Sequence, residues 1–207
     1  MRGKFITMEG GEGAGKSTMM DRVAQWLEDT GHRVITTREP GGTELAEKLR
    51  EVLLDRDNKT LSGQAELLLL FASRSQHLDE LIRPALAQGD CVLCDRFTDA
   101  TWAYQGGGRG LPLADIETLE NLVHGDLQPD LTLLLDLPVE QGLKRAGERS
   151  QADRFEMESV RFFEQVRNAY LDRAKCAPHR FAVIDASGDQ EEVWSRIKGV
   201  LKDRLEP

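Results

Sequence analysis

Long apolar runs are missing from this 207-residue sequence. The longest unbroken one, Leu67 to Ala72, falls far short of the ~20 residues that a membrane-spanning helix requires. No membrane association is therefore expected. The N-terminal Met1-Arg2-Gly3-Lys4 leads straight into a strand pattern and a glycine loop, without the apolar stretch and small-residue cleavage site of a secretory signal, so a cytoplasmic protein is expected. An excess of positive charge is also missing. There are 27 basic against 36 acidic residues, a net charge of −9, which argues against a general nucleic-acid binder. A phosphate-bearing small ligand is not excluded, because a local cluster of arginines can hold an anion within an acidic protein. Cysteine is scarce, and the three present form no disulfide framework. Cys91 and Cys94 have the spacing of a metal or redox pair, yet Cys91-Val92-Leu93-Cys94 reads as a buried strand. Three positions apart on a strand, the two side chains point to opposite faces, and both are expected in the core.

What is present suits one compact α/β domain: 40% hydrophobic and 30% charged residues on a chain long enough for a sizeable core. Strand-type runs cover Lys4 to Glu9, Arg33 to Arg38, Cys91 to Asp95, Leu131 to Asp136 and Arg180 to Asp185. Helical patterns cover Ser17 to Thr30, Glu44 to Leu54, Gln64 to Gln88, Leu113 to His124, Val139 to Glu148, Glu156 to Ala174 and Gln190 to Leu205. This alternation implies βαβ units and a parallel sheet. Gly31, Gly89 and Gly125 sit where helix C-terminal signals belong. The glycine-rich stretches Gly10 to Gly15 and Gly106 to Gly110 read as local loops.

The first of these carries chemistry. Gly10-Gly11-Glu12-Gly13-Ala14-Gly15-Lys16-Ser17 satisfies G-x-x-x-x-G-K-[ST], after an apolar strand and at the start of a helix. Glycines let successive N–H groups curl toward phosphate oxygens, and the helix N-terminus favours an anion. Lys16 can bridge the β- and γ-phosphates, and the Ser17 hydroxyl can ligate Mg²⁺. Glu12 is unusual there: a carboxylate near a triphosphate is electrostatically costly and needs a cationic partner or a hydroxyl donor. The motif predicts nucleoside triphosphate binding and leaves the acceptor open.

Three further segments narrow the class: Thr37-Arg38-Glu39-Pro40-Gly41-Gly42-Thr43, Asp95-Arg96-Phe97, and Ala103-Tyr104-Gln105-Gly106-Gly107-Gly108-Arg109-Gly110. With the phosphate loop, and over nearly the whole chain, this series resembles the bacterial thymidylate kinases. The resemblance implies a single domain built as a P-loop NTPase-type five-stranded parallel sheet flanked by helices on both faces. It also implies a homodimer and transfer of the ATP γ-phosphoryl group to dTMP, with Mg²⁺. On the ATP side it implicates Gly10 to Ser17, Thr18 and Arg145. Arg38 and Arg96 are implied at the acceptor phosphate. Arg74 is implied at the thymine O4, Tyr104 and Gln105 near sugar and base, and Thr101 and Arg50 beside them. Phe71 is the candidate for stacking on the base. It precedes Arg74 by three positions, whereas many relatives place the aromatic four before, where this chain has Leu70, so Phe71 is equally a core candidate. By pattern, Asp95 and Asp136 both end apolar strands and look alike as Mg²⁺ ligands; the resemblance chooses Asp95.

The basic segment from Lys144 to Arg154 joins two helical patterns and reads as a short Arg-rich lid. The phosphate loop itself has no arginine, and relatives of that kind place catalytic arginines in the lid. Arg149 and Arg154 are the candidates, with Arg145 third. The implied mechanism needs no general base, because the acceptor phosphate is already anionic; the work is positioning and charge neutralisation by Lys16, Mg²⁺, Arg38, Arg96, the lid and its neighbours, with Glu12 close by. A deoxynucleoside kinase would share the loop and lid but need a carboxylate base near a sugar hydroxyl. A GTPase switch would carry an N-K-x-D motif, which this sequence lacks.

Overall fold

The computed structural model describes residues 2–58, 60–147 and 154–205. Five strands, β1 (Phe5–Gly10), β2 (Val34–Arg38), β3 (Cys91–Asp95), β4 (Leu131–Asp136) and β5 (Phe181–Asp185), form one all-parallel sheet in the order β2-β3-β1-β4-β5. Register aligns Met8 with Asp95, and Arg38 with Asp95. The carboxyl ends of β1, β2 and β3 therefore meet at one edge, outside which ligands bind in open α/β sheets.

Both faces of the sheet are covered, as near-continuous apolar strands require. On one face α1 (Lys16–Asp29) and α9 (Gln190–Leu205) pack on Ile6, Met8, Leu93, Leu131 and Leu133. On the other, Phe5, Val92, Cys94 and Phe97 meet α4 (Arg83–Ala87), and Leu134 and Phe181 meet α8 (Val160–Cys176). Cys91 belongs to the first layer and Cys94 to the second; both are buried free thiols, as strand alternation predicts. The remaining helices are α2 (Glu44–Leu54), α3 (Gly63–His77), α5 (Thr98–Thr101), α6 (Leu113–His124) and α7 (Val139–Gly147).

Three expectations change. The single helix read from Gln64 to Gln88 is α3 and α4 joined by a wide π-type turn, Leu78–Ile82. Pro84 has no N–H to continue the ladder, and the widened turn just ahead of it absorbs the loss. The helix read as beginning at Glu156 starts later, at Val160, because Ser159 caps it by accepting from the Phe162 N–H. The third difference is the stretch read as a loop. Trp102–Gly108 is a wide helical segment continuing α5, so Gly106 to Gly108 are helical. A Cβ on Gly108 would lie 2.4 Å from the Phe162 ring, and one on Gly107 would lie 2.6 Å from the Ala169 Cβ. These glycines allow close approach to α8 and do not mark a turn.

Candidate active site

A cavity of about 330 Å³ opens at the carboxyl edge of β1, β2 and β3. One end is the phosphate loop from Glu12 to Ser17; the other is formed by Leu70 and Arg74 of α3 with Thr101, Tyr104 and Gln105. Gly13 and Gly15 have φ of 68° and 91°, values that side chains rarely tolerate. Gly13 also lies against Gly142 of α7: a Cβ there would sit 2.0 Å from the Gly142 carbonyl oxygen. Lys16 is buried, and its Nζ donates to the Gly10 and Gly11 carbonyls at 3.0 Å each. Burial, followed by the nearby Arg96 charge, holds the Lys16 ammonium below its ordinary pKa.

Glu12 has the partners its position requires. Its Oε1 accepts from Arg96 Nη2 at 2.6 Å and from the Tyr104 hydroxyl at 2.7 Å. Arg96 is the one non-glycine residue among those described with positive φ, 68°, and its N–H bonds the Met8 carbonyl at 3.0 Å. Such a backbone is uncommon outside glycine, and it aims the guanidinium back over the loop. There Nη1 donates to the Gly10 carbonyl at 3.0 Å and to the Tyr170 hydroxyl at 3.1 Å.

At the other end, Arg74 is 2% exposed. Its Nε donates to Glu39 Oε2 at 2.7 Å and its Nη2 to Thr101 Oγ1 at 2.9 Å. Its Nη1 is buried without a partner among the described residues. His77 Nδ1 lies 3.0 Å from the other Glu39 oxygen. Burial pushes the Glu39 carboxyl up, but Arg74 and His77 outweigh it and hold Glu39 below the usual carboxylate range.

Several candidates lie elsewhere. Phe71 is 2% exposed, packs with Leu67 and Ile116, and lies beneath Arg74 with 4.8 Å from guanidinium to ring centre; Leu70 faces the cavity in its place. Leu70 and Arg74, four apart, both line the cavity, whereas Phe71 packs inward. Arg38 is outside the cavity lining, half-exposed and paired with Glu47 at 3.0 Å. Thr18 is exposed on the outer side of α1. Arg145 donates to the Ala186 and Ser187 carbonyls, and Arg154 to Glu66 Oε2 at 2.5 Å and the Leu53 carbonyl at 2.8 Å. Arg154 thus contacts α2 and α3, and Arg145 the chain just after β5. Arg149 lies outside the described residues. Arg50 lines the cavity and donates to the Pro40 carbonyl at 2.8 Å. Asp95 lines the cavity with Ser17, and its Oδ1 is buried without a partner among the described residues; Asp136 is already held by Arg167 at 2.6 and 2.9 Å.

Sequence reasoning missed Glu9 and Tyr170, which underlie Arg96. Glu9 is fully buried, accepting from the Tyr170 hydroxyl at 2.8 Å and the Phe97 N–H at 2.7 Å. Burial, reinforced by Asp99, pushes its carboxyl up to about 8. A carboxyl raised above its unfolded value gives stability that is complete below the unfolded value of 4.5 and lost as pH rises through about 8. Stability is therefore expected to fall across that window, and Glu9→Gln, which mimics the protonated form, to flatten the slope in denaturant titrations at pH 5, 6.5 and 8. An unchanged slope would contradict a neutral Glu9.

A glycine loop feeding α1, a buried lysine over that loop and a cavity beyond three parallel strand ends define a phosphate-loop nucleotide-binding enzyme. Comparison with known proteins narrows the class. Residues 8–197 match the family model described as thymidylate kinase. The thymidylate kinases of Pseudomonas putida F1 and Pseudomonas fluorescens SBW25 are 57% and 56% identical over 206 residues, covering 100% of this chain and 98% of each relative. The crystal structure of thymidylate kinase from Ehrlichia chaffeensis superposes with a TM-score of 0.80 at 35% identity, covering 98% of this chain and 99% of that one. The chain belongs to the thymidylate kinase family and is a phosphotransferase.

Proposed function

We propose that this chain transfers the γ-phosphoryl group of ATP to dTMP, giving dTDP and ADP. The observation that carries the reading is the continuity of one cavity from the phosphate loop to Arg74, whose buried Nη1 has no partner among the described residues. A triphosphate on the loop and a nucleoside monophosphate reaching back from Arg74 would meet beside Lys16 and Arg96. An anionic oxygen of the dTMP phosphate attacks the γ-phosphorus in line; that bond forms as the bond to the β–γ bridging oxygen breaks, and ADP leaves. Lys16 and Arg96 neutralise the converging charge. Arg74 offers its spare N–H to the thymine O4, Gln105 faces the base, and Tyr104 crowds the sugar, with Thr101 and Arg50 as supports. Arg38 joins at the acceptor phosphate by exchanging its exposed pair with Glu47, a weak interaction at such a surface.

Mg²⁺ fits the donors present: the Ser17 hydroxyl and Asp95 Oδ1, the latter without a partner among the described residues, are hard oxygen donors of residues that line the cavity, and the ion would supply charge neutralisation at the phosphates. Ala146, within the proposed Lys144 to Arg154 lid, and Phe155, just after it, both line the cavity, which supports the lid reading; residues 148–153 lie outside the described residues.

A panel of nucleoside monophosphates with ATP and Mg²⁺ tests the reading. dTMP is expected to give the highest kcat/KM, with dUMP lower by ~10–200-fold, because one methyl group in an apolar pocket is worth only ~1–3 kcal/mol. A preference for dUMP, or for a purine nucleotide, overturns it. Homodimerisation and a cytoplasmic location are part of the same proposal. Exposed apolar side chains Leu45 and Val52 of α2, Leu68 of α3, and Leu113 and Leu122 of α6 lie on helices packed side by side, as an interface requires. Among the described residues no helix is long and apolar enough to cross a membrane. Monomeric sedimentation at micromolar concentration would count against the dimer, and recovery of the enzyme in a membrane fraction would count against the location.

A further inference from the structure

We infer that Glu66 is a specificity-determining positioning residue: it fixes the orientation of the Gln105 side-chain amide and so makes that side chain a hydrogen-bond acceptor toward the base. The inference rests on the proposed seating of the acceptor base between Arg74 and Gln105.

Glu66, Leu70 and Arg74 stand at i, i+4 and i+8 of α3, on one stripe. Leu70 and Arg74 line the cavity, and Glu66 lies one turn further along, only 1% exposed at its side chain. Its Oε1 accepts from Gln105 Nε2 at 2.7 Å. The same carboxylate accepts from Arg109 Nε at 3.2 Å, from Arg109 Nη2 at 3.3 Å and from Arg154 Nη2 at 2.5 Å. Three donor residues from two segments converge on one buried acid, and two of them are permanent cations.

A carboxylate pinned in this way accepts and does not donate. An amide facing it must therefore present its NH₂ group, and the amide oxygen then faces the other way. Gln105 is 2% exposed and lines the cavity, so the choice between its two ends decides what the cavity reads. Arg74 supplies a donor and Gln105, held by Glu66, supplies an acceptor. That pair complements a pyrimidine imide, with its carbonyl O4 and N3–H. It opposes a cytosine edge, which offers an amine and a bare ring nitrogen at the same positions. Without Glu66 the amide can turn over, and the edge is no longer read in one sense. Rejection of a wrong pattern by leaving buried polar groups unpaired is among the stronger forms of discrimination.

The test uses the full-length enzyme with ATP and Mg²⁺, scoring preference as the inhibition constant of dCMP divided by the KM of dTMP, so that a value exists without dCMP turnover. Glu66→Gln is expected to narrow this preference by ~10-fold or more while the KM for ATP stays unchanged. In a Gln105→Ala background the same substitution is expected to change it no further, because its effect passes through Gln105. If Gln105→Ala itself leaves the preference intact, the seating of the base is wrong. If Gln105→Ala narrows it but Glu66→Gln does not, the role of Glu66 alone is overturned; additive effects in the double variant overturn it as well. Should Glu66→Gln fail to fold, Glu66→Asp withdraws the oxygen from Gln105 while keeping the charge for Arg109 and Arg154. Undiminished preference in Glu66→Asp is then the overturning result.

Discussion

Lys16→Met is expected to lower kcat for dTMP phosphorylation by about 10²–10³-fold with little change in thermal stability. The ammonium is buried over the phosphate loop, where it donates to the Gly10 and Gly11 carbonyls. Those carbonyls are loop groups that a triphosphate would leave in place, so the lysine is free to turn its remaining proton toward a phosphate oxygen. Removing one preorganised donor from a developing charge costs about 3–4 kcal/mol in comparable sites, which sets the size of the effect. Methionine keeps the apolar stem and fills the same space. Steady-state kinetics with saturating ATP separates this from a binding defect. A loss confined to KM would reassign Lys16 to ground-state binding, and wild-type kcat would remove the loop from the chemistry.

Arg74→Leu is expected to act on both stability and dTMP recognition. The Arg74–Glu39 pair is almost wholly buried, 3% and 4% exposed at the side chains, and His77 completes it. Removing one member of such a pair leaves an uncompensated charge, typically at a cost of about 3–5 kcal/mol. The pH dependence is distinctive. Glu39 is held below its ordinary range chiefly because Arg74 offsets burial. Without the guanidinium, burial dominates, and the carboxyl rises until it can protonate. A depressed carboxyl gives stability that is present above its unfolded value and lost as pH falls, so the native pair helps most near neutrality. The gap in Tm between wild type and variant should accordingly shrink between pH 7 and pH 5. A pH-independent gap would mean that lost packing, not the orphaned carboxylate, sets the cost. Loss of the free Nη1 donor should also raise the dTMP KM while leaving that of ATP unchanged.

The parts of the site written in contiguous residues are legible in the sequence itself. The phosphate loop, the strand ends at Arg38, Asp95 and Asp136, and the need of Glu12 for a cation or a hydroxyl all follow from short-range pattern and elementary electrostatics. Strand alternation places Cys91 and Cys94 on opposite faces. What the sequence hides depends on distant partners. Arg154 reads as a lid arginine, and its contact with Glu66, 88 residues away, is invisible in the sequence. Gly106 to Gly108 read as a loop because glycine usually marks one; here the absent side chains make room for Phe162 and Ala169 of α8. Phe71 is ambiguous in sequence because an aromatic ring suits a base and an apolar helix position suits the core; in the structure it packs with Leu67 and Ile116. Glu9 looks like a strand's polar end, although Tyr170, on a helix 161 residues later, makes it part of the foundation beneath Arg96.

Glu12 gives Arg96 and Tyr104 an oxyanion from within the chain itself. A phosphate seeking the same donors must therefore compete with an acid the protein already supplies. Competition of that kind keeps the guanidinium aimed while limiting how tightly an anion is held, which suits an enzyme whose product carries more charge than its acceptor.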